Sequence, residues 1–267
     1  MFKTTCFDVW RNEEETQKII TLCKDLDAQL AGGIIIGLIT ELCGLGDAKT
    51  QMCMQLSINV QFPKEIGGIG GNALYIDTNQ MFAPQRLREI ARAMSERFYS
   101  TFKKVNPTIS CKGLFDTDTL LGNVSYIYCA DYIDLIATIK TLKNILTQKP
   151  NLKLIVIDSF SFPLRSMEEV SERTCVIYEL LDILQALGRD FKVAIVITND
   201  LTTCLVETEW KISPALGELH SHKINQRILL GNDKNTKFYV ALIEKSIVSP
   251  RVAIPFQIKI SGMRGIS

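Results

Sequence analysis

The sequence predicts an α/β fold, in which a mostly parallel central sheet passes into a C-terminal antiparallel meander. Three observations predict it. The stretch "ITELCGLGDAKTQM" reads as strand, glycine loop, Lys-Thr and helix start. "LKLIVIDS" is a near-continuous apolar run closed by an acid, the pattern of a parallel strand covered on both faces. "INQRILL", "KFYVALI" and "VAIPFQIKI" follow one another across short turns, the second and third joined through "EKSIVSPR", as antiparallel strands do.

Taken in order, "EEETQKIITLCKDLDAQL" (Glu13 to Leu30) places Ile19, Leu22, Leu26 and Leu30 at helical spacing, so one amphipathic helix is expected. "GGIIIGLITELCG" supplies a turn, a second turn at Gly37 and a strand ending at Gly44, and a helix opens at Lys49 and meets no breaker until Pro63. "NALYIDT" is the second strand, followed by a helix with Pro84 in its first turn. Arg86, Arg88, Arg92 and Arg97 on that helix read as a solvated basic face, with a DNA-binding face as the alternative. "NVSYIYCA" is the third strand, and Asp131 caps the helix "DYIDLIATIKTLKNIL". After "LKLIVIDS" come a helix ending near Gly188 and a fifth strand, "FKVAIVITND". No repeat or linker divides residues 1–267, so one domain is expected.

Composition narrows the function classes. A chain of 267 residues can bury about 70% of its unfolded surface, enough for a sizeable core. Its 46% hydrophobic and 22% charged residues exclude a disordered chain. A net charge of +1 lacks the footprint of an autonomous nucleic-acid binder and leaves room only for a local basic loop. Eight cysteines without a C-x-x-C pair argue against a zinc ribbon and for buried, reduced thiols. The longest apolar stretch, Ala31 to Ile39, is half a membrane span, and the N-terminus lacks a secretory layout. A soluble intracellular protein without a membrane partner is expected, in the nucleus or the cytoplasm.

The loop carries the chemistry. In a Walker A loop, G-x-x-x-x-G-K-[ST], backbone amides wrap phosphates, the Lys reaches the β- and γ-phosphates and the hydroxyl binds Mg²⁺. Lys49 and Thr50 are in place, but Gly44 stands five residues before the Lys instead of six, and Ala48 replaces the last glycine. The candidate nucleotide-binding set is Gly44, Gly46, Asp47, Ala48, Lys49, Thr50 and Gln51. Asp158, 109 positions beyond Lys49, suits the Walker B role beside Thr50 in ordering Mg²⁺. No metal beyond Mg²⁺ is expected, since His220 and His222 in "ELHSHKINQ" have no nearby Cys or further His.

Beyond the loop, the chain resembles the eukaryotic RecA-like strand-exchange recombinases, most closely their C-type paralogue and, being short, its Spindle-D type. "LDAQLAGGIIIGLITELCG" is similar to the family's LDxxLGGGIxxGxITEIxG, and "KTQMCMQL", "YIDT", "IVIDSFSFPLR", "SERT", "ITNDLTT", "SPALGE" and "FQIKISGMRG" follow in family order, from about Leu26 to Gly265. "SFPLR", "LTT" and "ALGE" are the matches particular to the C type. The resemblance implies a RecA-like P-loop NTPase core, ATP and Mg²⁺ as cofactors, and a role in homologous recombination and double-strand break repair, including meiotic recombination. Its implied partners are another recombinase paralogue in a heteromeric complex, the main strand-exchange recombinase, and single-stranded DNA met within that complex in the nucleus.

Departures from the family point to a weakened site. Residues 1–25 stand as a remnant where the family has a helical N-terminal domain, and no convincing F-x-x-A polymerisation motif is present. Asn79 occupies the family's catalytic acidic position; an amide cannot accept a proton, and a general base contributes roughly 10²–10⁴ in rate. Asp200 stands at the neutral sensor position, where a carboxylate repels the γ-phosphate, and Asp47 adds charge in the loop. Ala48 is expected to cost about 1 kcal/mol if its φ is positive. The second DNA-loop region, Leu201 to Glu218, offers Lys211 against three Glu, while the first offers Arg165 and Arg173, each able to pair instead with Glu168, Glu169 or Glu172. The expected function is a recombinase paralogue with little or no hydrolysis. The alternative is an active DNA-dependent ATPase using Lys49, Thr50 and Asp158, with Glu41 or Asp77 as the substitute base.

Overall fold

The computed structural model describes residues 5–14, 16–105, 115–206, 209–217, 220–232 and 238–266. α1 (Cys6–Glu14) precedes β1 (Lys18–Ile19), α2 (Lys24–Gln29) and β2 (Ile34–Ile35). β3 (Ile39–Gly44), α3 (Ala48–Asn59), β4 (Asn72–Asp77), α4 (Pro84–Val105), α5 (Thr117–Gly122), β5 (Val124–Tyr128), α6 (Tyr132–Gln148) and β6 (Leu152–Asp158) build the first half of the core. α7 (Ser161–Leu164), α8 (Val170–Phe191), β7 (Ala194–Asn199), a hairpin of β8 (Leu201–Val206) and β9 (Glu209–Pro214), then β10 (Gln226–Asn232), β11 (Tyr239–Lys245), β12 (Val252–Lys259) and β13 (Gly262–Gly265) complete it.

The central sheet has nine strands in the order β13-β12-β11-β10-β3-β7-β6-β4-β5. The run from β10 to β5 is parallel throughout, and β11, β12 and β13 extend it antiparallel. The fold class read from the sequence therefore holds: a RecA-like, mostly parallel core with an antiparallel end. One strand changes role. β10 lies parallel to β3, with Arg227 opposite Glu41, and only its other edge opens the meander.

Strand alternation decides where chemistry can sit. On one face, Ala73, Tyr75, Leu154, Val156, Ala194 and Val196 pack with α3 and α4. Leu74, Ile76, Ile155, Ile157, Ile195 and Ile197 pack with α6 and α8 on the other. Eleven of the twelve residues of α3 are buried, so this helix is enclosed by sheet and neighbours rather than lying on a surface. The same period of two puts Tyr75, Asp158 and Thr198 on the α3 face, and Glu41 and Asn199 on the opposite one.

The segment from Glu13 to Leu30 is not one helix. Ile19 pairs with Ile34 in a two-strand ribbon, and Leu22 takes a φ of +65°, which no helix permits. The Asp27 carboxylate fixes this break by accepting the Thr21 and Leu22 amides at 2.7 and 3.0 Å, so after α1 the segment coils again only over Lys24–Gln29. The basic face of α4 also needs correction. The Arg86 side chain is largely buried, donating to Gln51, Glu89 and the carbonyls of Lys259 and Ile260, so it ties α4 to the end of β12. Asp131 caps α6 as expected, accepting the Asp134 amide at 2.9 Å. Cys23, Cys43, Cys53 and Cys129 are buried free thiols, whereas Cys6 and Cys175 are exposed. Among the described residues no helix is long and apolar enough to cross a membrane.

Candidate nucleotide site

Ligands in open α/β sheets sit at the carboxyl ends of the parallel strands. Here those ends bring together Gly44, Asp77, Asp158 and Asn199, with the loop into α3 at their centre. Gly44 is required by packing: a Cβ there would lie 2.3 Å from the Leu230 carbonyl oxygen on β10. Gly46 is required by conformation, with φ +80° and open space on its Cβ side. Ala48 behaves differently from the expectation. It is the first residue of α3, is absent from the positive-φ positions and is 2% exposed, so its methyl packs in the core without backbone strain. Asp47 occupies the N-cap position but makes no side-chain cap bond, leaving the first-turn amides of α3 free of it. Such a helix start favours anions.

Thr50 donates to Asp158 Oδ2 at 2.7 Å, Tyr75 to the same oxygen at 2.6 Å, and Thr198 to Oδ1 at 2.7 Å. Asp158 is thus a buried carboxylate satisfied by three hydroxyls. Burial, then the Asp158 charge, pushes the Tyr75 phenol well above its ordinary value, so it serves only as a donor. The sequence marks Tyr75 and Thr198 only as hydroxyls interrupting otherwise apolar strands, so their place beside Asp158 emerges from the fold.

Lys49, 6% exposed, turns the other way. Its ammonium donates to the Gly44 carbonyl and more weakly to that of Gly46 at 3.5 Å, and stands 3.3 Å from Asp200 Oδ1. Asp200 is held in turn: its amide donates to Ser161 Oγ at 3.1 Å, its carbonyl accepts from Ala215 at 2.7 Å, and Arg165 lies 3.8 Å from its carboxylate. Arg165 therefore pairs with Asp200, and Arg173 reaches the Met167 carbonyl at 3.4 Å; their ties run there rather than to Glu168, Glu169 or Glu172. Lys211 lies on β9, and its side chain falls outside the described residues. The Gln51 side chain faces away from the loop and accepts from Arg86 at 2.8 Å.

The other carboxylates are engaged. Glu41, fully buried, accepts from Arg227 Nε and from Asn199 at 2.8 Å, and Arg227 also reaches Glu244 at 3.5 Å. Asp77 accepts the Asn79 and Phe82 amides at 3.2 and 3.3 Å and the Tyr126 hydroxyl at 3.0 Å. Burial, together with that bond to Asp77, pushes the Tyr126 phenol up to about 12. The Asn79 side-chain oxygen accepts the Met81 amide at 3.2 Å, a local turn contact. His220 is buried, His222 lies against the Tyr178 ring, and no group of three or more metal-ligating side chains occurs among the described residues.

These residues fit a magnesium nucleotide in part. The Thr50 and Asp158 pair, the α3 amides and the Gly46 backbone suit Mg²⁺ and phosphate; the carboxylate on Lys49 does not suit a third phosphate. When bound, Mg²⁺ neutralises and orients phosphoryl oxygens.

Sheet order, glycine loop and paired Thr and Asp together define a P-loop protein with a RecA-like core. The Rad51 family profile matches residues 12–266, and the chain belongs to that family. It is 32% identical over 267 residues to DNA repair protein RAD51 homolog 3 of Cricetulus griseus, covering 98% of this chain and 72% of that protein. It is 30% identical over 260 residues to DNA repair protein RAD51 homolog 3 of Dictyostelium discoideum, covering 96% and 68% respectively.

Proposed function

We propose that this chain is a C-type, Spindle-D-like recombinase paralogue acting in homologous recombination and repair of DNA double-strand breaks, meiotic breaks included. It works in the nucleus as one subunit of a heteromeric paralogue complex that assists the main recombinase, and it meets single-stranded DNA within that complex. Its nucleotide site serves assembly, with hydrolysis weak or absent. Similarity to two proteins named as DNA repair homologues supports the pathway. The 3.3 Å contact between Lys49 and Asp200 carries the reading of the site, because it commits the loop's only lysine to an internal carboxylate.

Catalysis of γ-phosphate transfer needs a base or water-positioning residue and a cation on the developing charge. Asn79 offers no basic oxygen, Glu41 is bound by Arg227 and Asn199, and Asp77 holds two amides and a phenol. None is free to replace the base. Thr50, Asp158 and the first-turn amides of α3 remain able to hold Mg²⁺ and phosphate.

Depletion of the protein from its own cells tests the pathway. A recombination reporter cut at a single site is expected to lose gene-conversion products while end joining continues, and immunoprecipitation is expected to recover a second recombinase-family protein. Unchanged gene conversion would overturn the proposal.

A further inference from the structure

Asp200 lies 3.3 Å from Lys49, the one cation of the loop. We propose that its carboxylate stands in for a terminal phosphate, so that the site binds a nucleoside diphosphate with Mg²⁺ in preference to the triphosphate. This rests on the reading that residues 44–51 hold a nucleotide.

An ammonium has three protons to give. Those of Lys49 face the Gly44 carbonyl, the Gly46 carbonyl and Asp200 Oδ1. In a loop of this type the Lys is the group that reaches the terminal phosphates. A third phosphate therefore contends with Asp200 for one ammonium, at a site where Lys49 is only 6% exposed and water screens little. The first two phosphates would have the α3 amides and Thr50 to bind besides a share of Lys49, whereas a third would add its charge beside the Asp200 carboxylate.

The Asp200 backbone is tied to Ser161 Oγ through its amide and to Ala215, at the foot of the β8–β9 hairpin, through its carbonyl, and its carboxylate has Lys49 at 3.3 Å and Arg165 at 3.8 Å. The pair Lys49–Asp200 joins the loop to the foot of this hairpin. A diphosphate leaves that link intact.

Titration calorimetry on the full chain tests this, using Mg²⁺ with ADP and Mg²⁺ with the non-hydrolysable β,γ-imido analogue of ATP. The native chain is expected to bind the diphosphate about tenfold more tightly, equivalent to about 1.4 kcal/mol. Asp200→Asn, which keeps the shape and removes the charge, is expected to abolish the preference, and Arg165→Ala to keep or widen it. Equal or tighter binding of the triphosphate analogue, with both ligands lost in Lys49→Ala, would overturn this inference and leave the nucleotide site standing. A preference that survives Asp200→Asn would overturn the role of Asp200. Binding of neither nucleotide by a chain with an intact thermal transition would overturn the site reading itself, and this inference with it.

Discussion

Two aspartates flank the Lys-Thr pair, and they are built in opposite ways. Asp158 is 1% exposed, sits at the end of a core strand and accepts from three hydroxyls. Asp200 is 33% exposed at its side chain, lies beyond the last residue of β7 and faces two cations. The first is part of the fold, and its geometry is set by β4, β6, β7 and α3 together. The second ties the loop to the start of the β8–β9 hairpin at a partly exposed position.

That contrast sets an order of effects. The largest loss is expected at the buried pair of β3 and β10: Arg227→Met leaves the Glu41 carboxylate in the core without its cation at a cost of about 3–5 kcal/mol, read from the denaturant midpoint at constant slope. Asp158→Ala deprives Thr50, Tyr75 and Thr198 of their common acceptor and is expected to cost about 2–3 kcal/mol in the same measurement. Ala48→Gly restores the usual glycine of the loop, yet it is expected to destabilise by about 0.5–1 kcal/mol, since Ala48 is helical and buried. A gain in stability there would show that the methyl is strained. Asp200→Asn is expected to change stability by less than about 0.5 kcal/mol while shifting nucleotide preference. A large loss at Asp200 would erase the distinction between the two aspartates.

Much of the sheet was legible because its strands are apolar runs closed by polar residues: "LKLIVIDS", "NALYIDT" and "AIVITN" each end where the site begins. The Lys-Thr pair was legible from local order alone. What the sequence hid depends on pairing across long separations. Arg227 meets Glu41 across 186 positions through the parallel register of β10 on β3, and nothing near either residue announces it. Tyr75 and Thr198 read as core because a single hydroxyl barely changes a strand's pattern. The Glu13–Leu30 stretch misled because apolar spacing is blind to a side chain such as Asp27, which captures two backbone amides and stops the coil. Ala48 misled in the opposite direction, since a loop pattern implied a conformation that the helix start had already replaced.

The claim that Lys49 is committed to Asp200, with neither Glu41 nor Asp77 left to act as base, is tested most directly by phosphate release from ATP by the purified native chain, with and without single-stranded DNA. The account predicts release at the background level of Lys49→Ala under both conditions. DNA-stimulated release by the native chain that Lys49→Ala abolishes would contradict it.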